Sequence, residues 1–344
     1  MHELQRALGL EFPIVQAPMA GVQDHALAVA VTDAGGLGSL PCAMLDALAL
    51  RREVTALGSR PGRPFNLNYF CHVPPLPDAV HEAAWRAALA PYYREFGLDI
   101  DAISAGPGRL PLDAAAAELI EEFRPAVVSF HFGLPEATLL ARVRATGARI
   151  FASATTIEEA RWLDARGVDA VIAQGLEAGG HRGHFLSDDL SWQAGTFALL
   201  PQIVSAVRAP VIAAGGIADA AGVAAAISLG AALVQLGTAY MLCPEATTTV
   251  MHRAALAGDA SHRTALTRLF TGRPARGIVN RLMRDLNDAD PAPAFPLATN
   301  AIAPLRKAAE ARGSGDFSPL WSGQNTSGCR TVPAAELTRG LFDA

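Results

Sequence analysis

Residues 211–238, VIAAGGIADAAGVAAAISLGAALVQLGT, decide the fold. A short apolar run (211–214) ends on two glycines, an alanine-rich stretch follows Asp219 and stops at Gly230, and a second short apolar run (233–236) ends on Gly237. Short apolar runs bounded by turn residues are buried strands, and the alanine-rich stretch closed by glycine is a helix, so the segment is one β–α–β unit. The same rhythm runs back through the chain. It predicts strands at 14–17, 36–40, 65–68, 126–130, 149–153, 170–173, 211–214 and 233–236, and helices at 24–34, 157–166 and 220–229. Thr156 and Glu159 have the spacing of a capping box at the start of the second of these helices. Eight strands alternating with helices, with no strand pattern after the last, predict an α/β fold of the closed (β/α)8 barrel type in preference to an open doubly wound sheet.

The chain has 344 residues, 51% hydrophobic and 18% charged, enough to bury a large core in one or two domains and too apolar for disorder. A formal charge of -5 gives no overall attraction for nucleic acid or an anionic membrane, and neither is an expected partner. Cys42, Cys71, Cys243 and Cys329 lack CxxC spacing and fit reduced thiols. No apolar run is long enough to span a bilayer, and the N-terminus lacks a leader pattern, so the expectation is a cytoplasmic protein; a homodimer is left open. Among 28 basic residues only Lys307 is a lysine, and nothing around it argues for a Schiff base.

Two stretches break the rhythm. The connection 71–124 is too long for one helix; it carries Pro74, Pro75 and Pro77 and then an aromatic helix through Trp85, Tyr92 and Tyr93, and is read as an extended excursion. After the eighth strand, 244–318 reads as helices rich in Arg (Arg253, Arg263, Arg268, Arg273, Arg276, Arg281, Arg284). The expected organisation is a barrel over 1–243, a helical lid over 244–318 on the C-terminal mouth, and a tail over 319–344 returning to the barrel. The plain reading of the Arg run is a solvated helix face.

Barrel enzymes keep their sites at the C-terminal ends of the strands, so those positions are read together. Strand one runs into Gln16-Ala17-Pro18-Met19, strand three ends at Asn68, and strand six leads into Gln174-Gly175-Leu176-Glu177-Ala178-Gly179-Gly180-His181-Arg182-Gly183. Strand seven gives Gly215-Gly216 and strand eight Gln235-Leu236-Gly237-Thr238. Glycines at both of the last two strand ends, each before a helix N-terminus, suit a phosphate, because small residues let backbone N–H groups approach it. The amides of Asn68 and Gln174 match the edge of a flat heterocycle, and each alone is equally well explained by capping nearby loop backbone. No GxGxxG follows the first strand. Flavin mononucleotide (FMN) suits the phosphate site and the amides together. His181, after two glycines, is read as an approachable general base, and His131, at the end of strand four, as a weaker substrate-binding group that either holds anionic oxygens, assists His181 or packs between Phe130 and Phe132. His181 and His184 have the spacing of metal ligands, but no carboxylate or Cys completes a set, so no metal is expected.

The stretches Gln16-Ala17-Pro18-Met19, Ala34-Gly35-Gly36-Leu37-Gly38, 174–183, 213–217 and 235–238 resemble the flavin-dependent nitronate monooxygenases, formerly called 2-nitropropane dioxygenases. So do Gly272-Arg273-Pro274-Ala275-Arg276-Gly277 and Trp321-Ser322-Gly323-Gln324. Gln23-Asp24-His25 departs from the small residues that this family carries there and leaves the subclass open. The resemblance implies FMN contacts at Asn68, Gln174, Gly179, Gly216 and Gln235 through Thr238, and a catalytic histidine at His181. With the strand-end reading, the expected cofactor residues are Gln16, Ala17, Pro18, Met19, Asn68, Gln174, Gly179, Gly180, Gly215, Gly216, Gln235, Leu236, Gly237 and Thr238. It further implies a small-molecule nitronate and O2 as substrates, giving a carbonyl compound and nitrite. Two competing readings are a flavin-dependent enoyl reductase of fatty-acid synthesis, which has a similar Glu-x-Gly-Gly-His loop, and a flavin-binding protein without turnover.

Overall fold

All eight expected strands form and pair as parallel neighbours around a ring. A computed structural model describes residues 1–344 other than 61, 105, 107, 287, 288, 290, 343 and 344, so the last two positions of the expected tail lie outside the described residues. In chain order the barrel strands are β1 (Ile14–Gln16), β2 (Gly38–Pro41), β3 (Phe65–Phe70), β4 (Val127–His131), β5 (Arg149–Ala154) and β6 (Ala170–Gln174). A two-residue strand outside the barrel, β7 (Gly180–His181), precedes the last two, β8 (Val211–Ala214) and β9 (Leu233–Leu236), and β9 pairs with β1. The ring is completed between β1 and β2, where Gln16 N donates to the Leu37 carbonyl and Leu37 N to the Ile14 carbonyl, both at 2.9 Å.

Beyond those two rungs, side chains take over the seam. Ser39 N donates to Gln16 Oε1 at 3.0 Å, and Gln23 Nε2 donates to the Ser39 carbonyl at 2.6 Å. Gln23 Oε1 accepts from Gln16 Nε2 at 2.7 Å and from Met19 N at 2.8 Å. The departure noted at Gln23 thus fills the seam of the barrel, satisfying backbone groups that would otherwise be buried without partners.

Alternation along the strands sorts the interior into two layers. Val15, Leu37, Val127, Phe151, Ile172, Ile212 and Leu233 form an apolar floor with Leu4, Leu8 and Leu10 from the N-terminal segment. Two residues beyond Leu37 and Val127 the interior turns polar: Ser39 Oγ and Ser129 Oγ accept from Asn66 Nδ2 of β3 at 3.0 and 2.9 Å. The outward residues pack under the helices in the main core.

The helix Ile157–Asp164 is capped by Thr156, whose Oγ1 accepts from Glu159 N at 3.2 Å. The reciprocal half of the expected capping box does not form. Glu159 accepts instead from Thr155 N at 2.7 Å, Thr155 Oγ1 at 2.8 Å, Phe185 N at 2.6 Å and Leu186 N at 3.2 Å, because those buried donors compete better for its carboxylate.

The segment after β9 is mixed. It holds helices Val250–Ala257, Arg281–Leu286 and Thr299–Ala311, and also an antiparallel pair, β10 (Thr264–Thr267) and β11 (Ala275–Ile278). β11 pairs in turn with β7, Ala275 opposite His181. The excursion helix Ala79–Phe96 joins this segment around a second core: the Tyr93 hydroxyl donates to the Ala301 carbonyl at 2.6 Å and Trp85 Nε1 to the Ala298 carbonyl at 3.2 Å. The Arg run is not one solvated face. Arg276 is buried and Arg253, Arg273 and Arg281 half-buried, while Arg263, Arg268 and Arg284 are exposed. Arg253 donates to the carbonyls of Leu242, Cys243, Ala246 and Thr248, consuming its charge in closing a turn. The tail crosses the mouth: Gly323 N donates to Thr238 Oγ1 at 2.9 Å, Gln324 N to the Glu177 carbonyl at 3.0 Å, and Asn325 Nδ2 to the Gly216 carbonyl at 3.0 Å. Among the described residues no helix is long and apolar enough to cross a membrane.

Candidate active site

A cavity opens at the C-terminal ends of the strands, under the second core. Of the expected cofactor residues, Ala17, Pro18, Met19, Asn68, Gln174, Gly179 and Gly180 line it, as do Gly215, Gly216, Gln235, Gly237 and Thr238. Both expected histidines, His131 and His181, line it too. Gln16 and Leu236 do not. Gln16 is spent on the β1–β2 seam and Leu236 packs outward into the main core, since alternate strand residues face opposite sides.

At the β8 and β9 ends the backbone is shaped for a bound group. Gly215 and Gly216 have φ of 113° and 72°, which only glycine adopts without strain. Among the described residues the N–H groups of Gly215, Gly216 and Gly237 meet no protein acceptor, and the helix Ala220–Ser228 begins just beyond. Unpartnered donors beside a helix N-terminus fit the phosphate of a flavin.

The loop from β6 to β7 is held rigidly from inside. Gln174 Nε2 donates to the His181 carbonyl at 2.9 Å, and Gly183 N donates to Gln174 Oε1 at 2.8 Å, so this amide clamps its own loop. Arg182, fully buried, donates to the carbonyls of Gln174 and Gly175, both at 2.7 Å, and to Gln193 Oε1 at 2.7 Å. Glu177 turns away and accepts from Thr196 N and Oγ1 at the start of the helix Thr196–Ala206.

His181 therefore sits on a fixed strand, half-buried, where the sequence reading had a freely approachable loop residue. Its Nε2 lies 3.0 Å from Thr271 Oγ1. The rings of Phe295 and Trp321 stand 5.3 and 5.6 Å from it. Burial, followed by the charge of Arg109, holds its pKa well below the ordinary imidazole value, so the ring is neutral at neutral pH.

His131 has both ring nitrogens engaged. Nε2 donates to the His181 carbonyl at 3.2 Å, which fixes the proton on that nitrogen, and Nδ1 receives the Ser153 hydroxyl at 3.0 Å. Burial pushes it down to about 3. Asn68 is anchored through Nδ2 to Ser129 Oγ at 2.9 Å. Phe132 follows in the left-handed region at φ 70°, and its ring is clasped by Phe70, His72 and Phe295.

Other residues around the site escape the strand-end reading. Ser153 and Thr271 orient the two histidines, Trp321 comes from the tail, and Arg109 comes from the excursion. His184 lies 3.3 Å from Asp188, a carboxylate the sequence reading did not pair with it. Elsewhere Asp24, His25 and Glu53 gather metal-compatible atoms, but Asp24 caps a helix and His25 Nδ1 is 2.6 Å from Glu53.

Comparison with known proteins agrees with this geometry. The family model described as nitronate monooxygenase matches residues 2–343. A nitronate monooxygenase of Paraburkholderia phytofirmans is 44% identical, over 97% of this chain and 92% of its own length, and one of Pseudomonas aeruginosa is also 44% identical, over 98% and 97%. Among solved structures, a nitroalkane oxidase of Streptomyces ansochromogenes superposes with a TM-score of 0.89 at 39% identity, covering 98% of this chain and 96% of that one. Matched nearly end to end, with a cavity built for a flavin and a neutral histidine held over it, the chain belongs to the nitronate monooxygenase family and is a flavin-dependent oxidoreductase.

Proposed function

We propose that the flavin is FMN and that the protein oxidises small alkyl nitronates with O2, giving a carbonyl compound and nitrite, in the cytoplasm. The observation that carries the reading is His181, fixed by its backbone beside the rings of Phe295 and Trp321 at the mouth of a cavity whose Gly215, Gly216 and Gly237 N–H groups meet no protein acceptor among the described residues and suit a single terminal phosphate. When bound, the flavin accepts electrons from the substrate and passes them to O2. The chain's own residues bind and orient. Gly215, Gly216 and Gly237 hold the phosphate, and Asn68 meets the ring edge. His181 removes the α-proton from a neutral nitroalkane or stabilises the preformed anion, and His131 and Gln174 keep its peptide in place. The segment 244–318 and the tail roof the mouth and exclude water. Four unpaired cysteines suit a reducing compartment.

Mixing the purified holoprotein anaerobically with ethylnitronate should bleach the flavin absorbance, and turnover in air should consume O2 and release nitrite. NADH and NADPH should react slowly or not at all. Rapid reduction by NAD(P)H with nitronate inert would overturn the reading in favour of a reductase. His181→Asn should lower activity on neutral nitroalkane by roughly 10²–10⁴, with a smaller loss on preformed nitronate.

A further inference from the structure

The cavity lining contains no Asp, Glu or Lys among the described residues, and its one permanently charged group is Arg109. The side chain is buried, with 9% of its surface exposed. It is carried on a strap that crosses from the excursion to the barrel mouth: Leu110 N donates to the Ala43 carbonyl at 3.0 Å and Leu112 N to the Phe70 carbonyl at 2.9 Å. The guanidinium itself makes one hydrogen bond, Nη1 to Thr299 Oγ1 at 2.9 Å, and among the described residues no carboxylate pairs with it. The Phe295 ring lies near both, 6.0 Å from the guanidinium carbon and 5.3 Å from the His181 imidazole.

The other buried arginines differ. Arg182 has three bonds to carbonyl and amide oxygens, and Arg276 is bonded to the Leu176 carbonyl and Thr264. A buried guanidinium with most of its five donors free is costly unless an anion completes it. A nitronate presents two oxygens on one planar nitrogen, the same outline as a carboxylate, and the guanidinium fork matches that outline with two parallel hydrogen bonds.

We propose that Arg109 is the specificity-determining residue of the substrate pocket, gripping both oxygens of the nitronate group while the apolar body lies between Phe70 and Trp321. This rests on the nitronate reading above. It makes the preformed anion the substrate selected, since a neutral nitroalkane offers the same shape without the charge, and it leaves His181 to face the carbon.

Flavin-loaded wild type, Arg109→Met and Arg109→Lys distinguish the possibilities through two measurements. First, propionate and its neutral isostere propionamide are titrated and followed by the flavin absorbance. Propionate should bind wild type and weaken about 10- to 100-fold in Arg109→Met, with Arg109→Lys in between and propionamide indifferent to the substitution. Second, the KM for ethylnitronate should rise by a similar factor in Arg109→Met, with kcat changing less, while KM for neutral nitroethane moves little. Unchanged propionate affinity and unchanged nitronate KM in Arg109→Met, in a variant that still turns over, would overturn the proposal and leave the function standing. If wild type does not oxidise nitronate while propionate binding still depends on Arg109, the nitronate reading fails and Arg109 remains the anchor for a different anion.

Discussion

Replacing Gly179 by alanine puts the cofactor end of the site under a measurable load. A Cβ built there stands 2.5 Å from Gly323 N and 2.6 Å from the Ser322 carbonyl carbon, both backbone atoms of the tail. Ordinary contact needs about 3.5 Å, so the tail must withdraw by roughly 1 Å. That is enough to break the bonds from Gly323 N to Thr238 and from Gln324 N to Glu177, now 2.9 and 3.0 Å. Two hydrogen bonds at about 1 kcal/mol each, with about 1–3 kcal/mol for overpacking, give a loss of roughly 3–5 kcal/mol. Gly180→Ala is the comparison. Its Cβ meets nothing within 4 Å, and only its φ of 69° is unfavourable, so it should cost about 1–2 kcal/mol. Urea unfolding of both holoproteins measures the difference, and ultrafiltration measures flavin retention, which should fall at least tenfold in Gly179→Ala alone because Thr238 and Gly216 lose the residues that brace them. Equal midpoints and equal flavin retention in the two variants would refute the reasoning.

Three further outcomes are expected. His131→Leu removes one of the two donors on the His181 carbonyl and should lower kcat by about 10- to 100-fold with KM less affected; raised KM at constant kcat would show instead that the His131 ring contacts substrate. Burial holds His72, His131, His184 and His252 at about 4, 3, 4 and 4, below their unfolded value near 6.5, so the unfolded chain takes up protons first. Stability should therefore fall as pH drops below about 6.5, each group costing up to about 1.4 kcal/mol per pH unit until its folded value is reached, and a flat urea midpoint between pH 7 and 5 would count against it. Glu159→Ala leaves four donors without an acceptor and should cost roughly 3 kcal/mol or more, with faster hydrogen exchange at Phe185 and Leu186; retained protection at those amides would show that the carboxylate does not hold the segment.

The barrel was legible because its strands are short apolar runs buried on both faces and its turns are punctuated by glycine, and the segments 211–214 and 233–236 match β8 and β9 at both ends. The small sheet was not. β7 is the pair Gly180-His181, and β11 is Ala275-Arg276-Gly277-Ile278; neither carries an alternating pattern, and their pairing joins residues about ninety positions apart. For the same reason His181 read as loop. The strand-end rule put twelve of its fourteen expected cofactor residues and both histidines on the cavity wall, but it over-reached at Gln16 and Leu236, where the side chain points away, and it had no way to reach Arg109, Thr271 or Trp321. Those residues are brought over the mouth by long connections whose course is set by packing, as at Trp85 and Tyr93, and packing of that kind leaves no local signal.

The tail's crossing of the mouth also orders events in time. β1 pairs with β9, so every strand of the barrel has been translated once residue 236 is made. Trp321, Gly323 and Asn325, which complete the cavity wall and brace Thr238 and Gly216, come some eighty residues later. The same tail carries the helix Ala334–Gly340, whose Ala334 and Leu337 are buried in the barrel's main core and whose Thr338 bonds the Tyr240 hydroxyl at 2.9 Å. The last residues to be made therefore close the cofactor pocket and the barrel's core together, so a chain cut short before residue 321 would lack both.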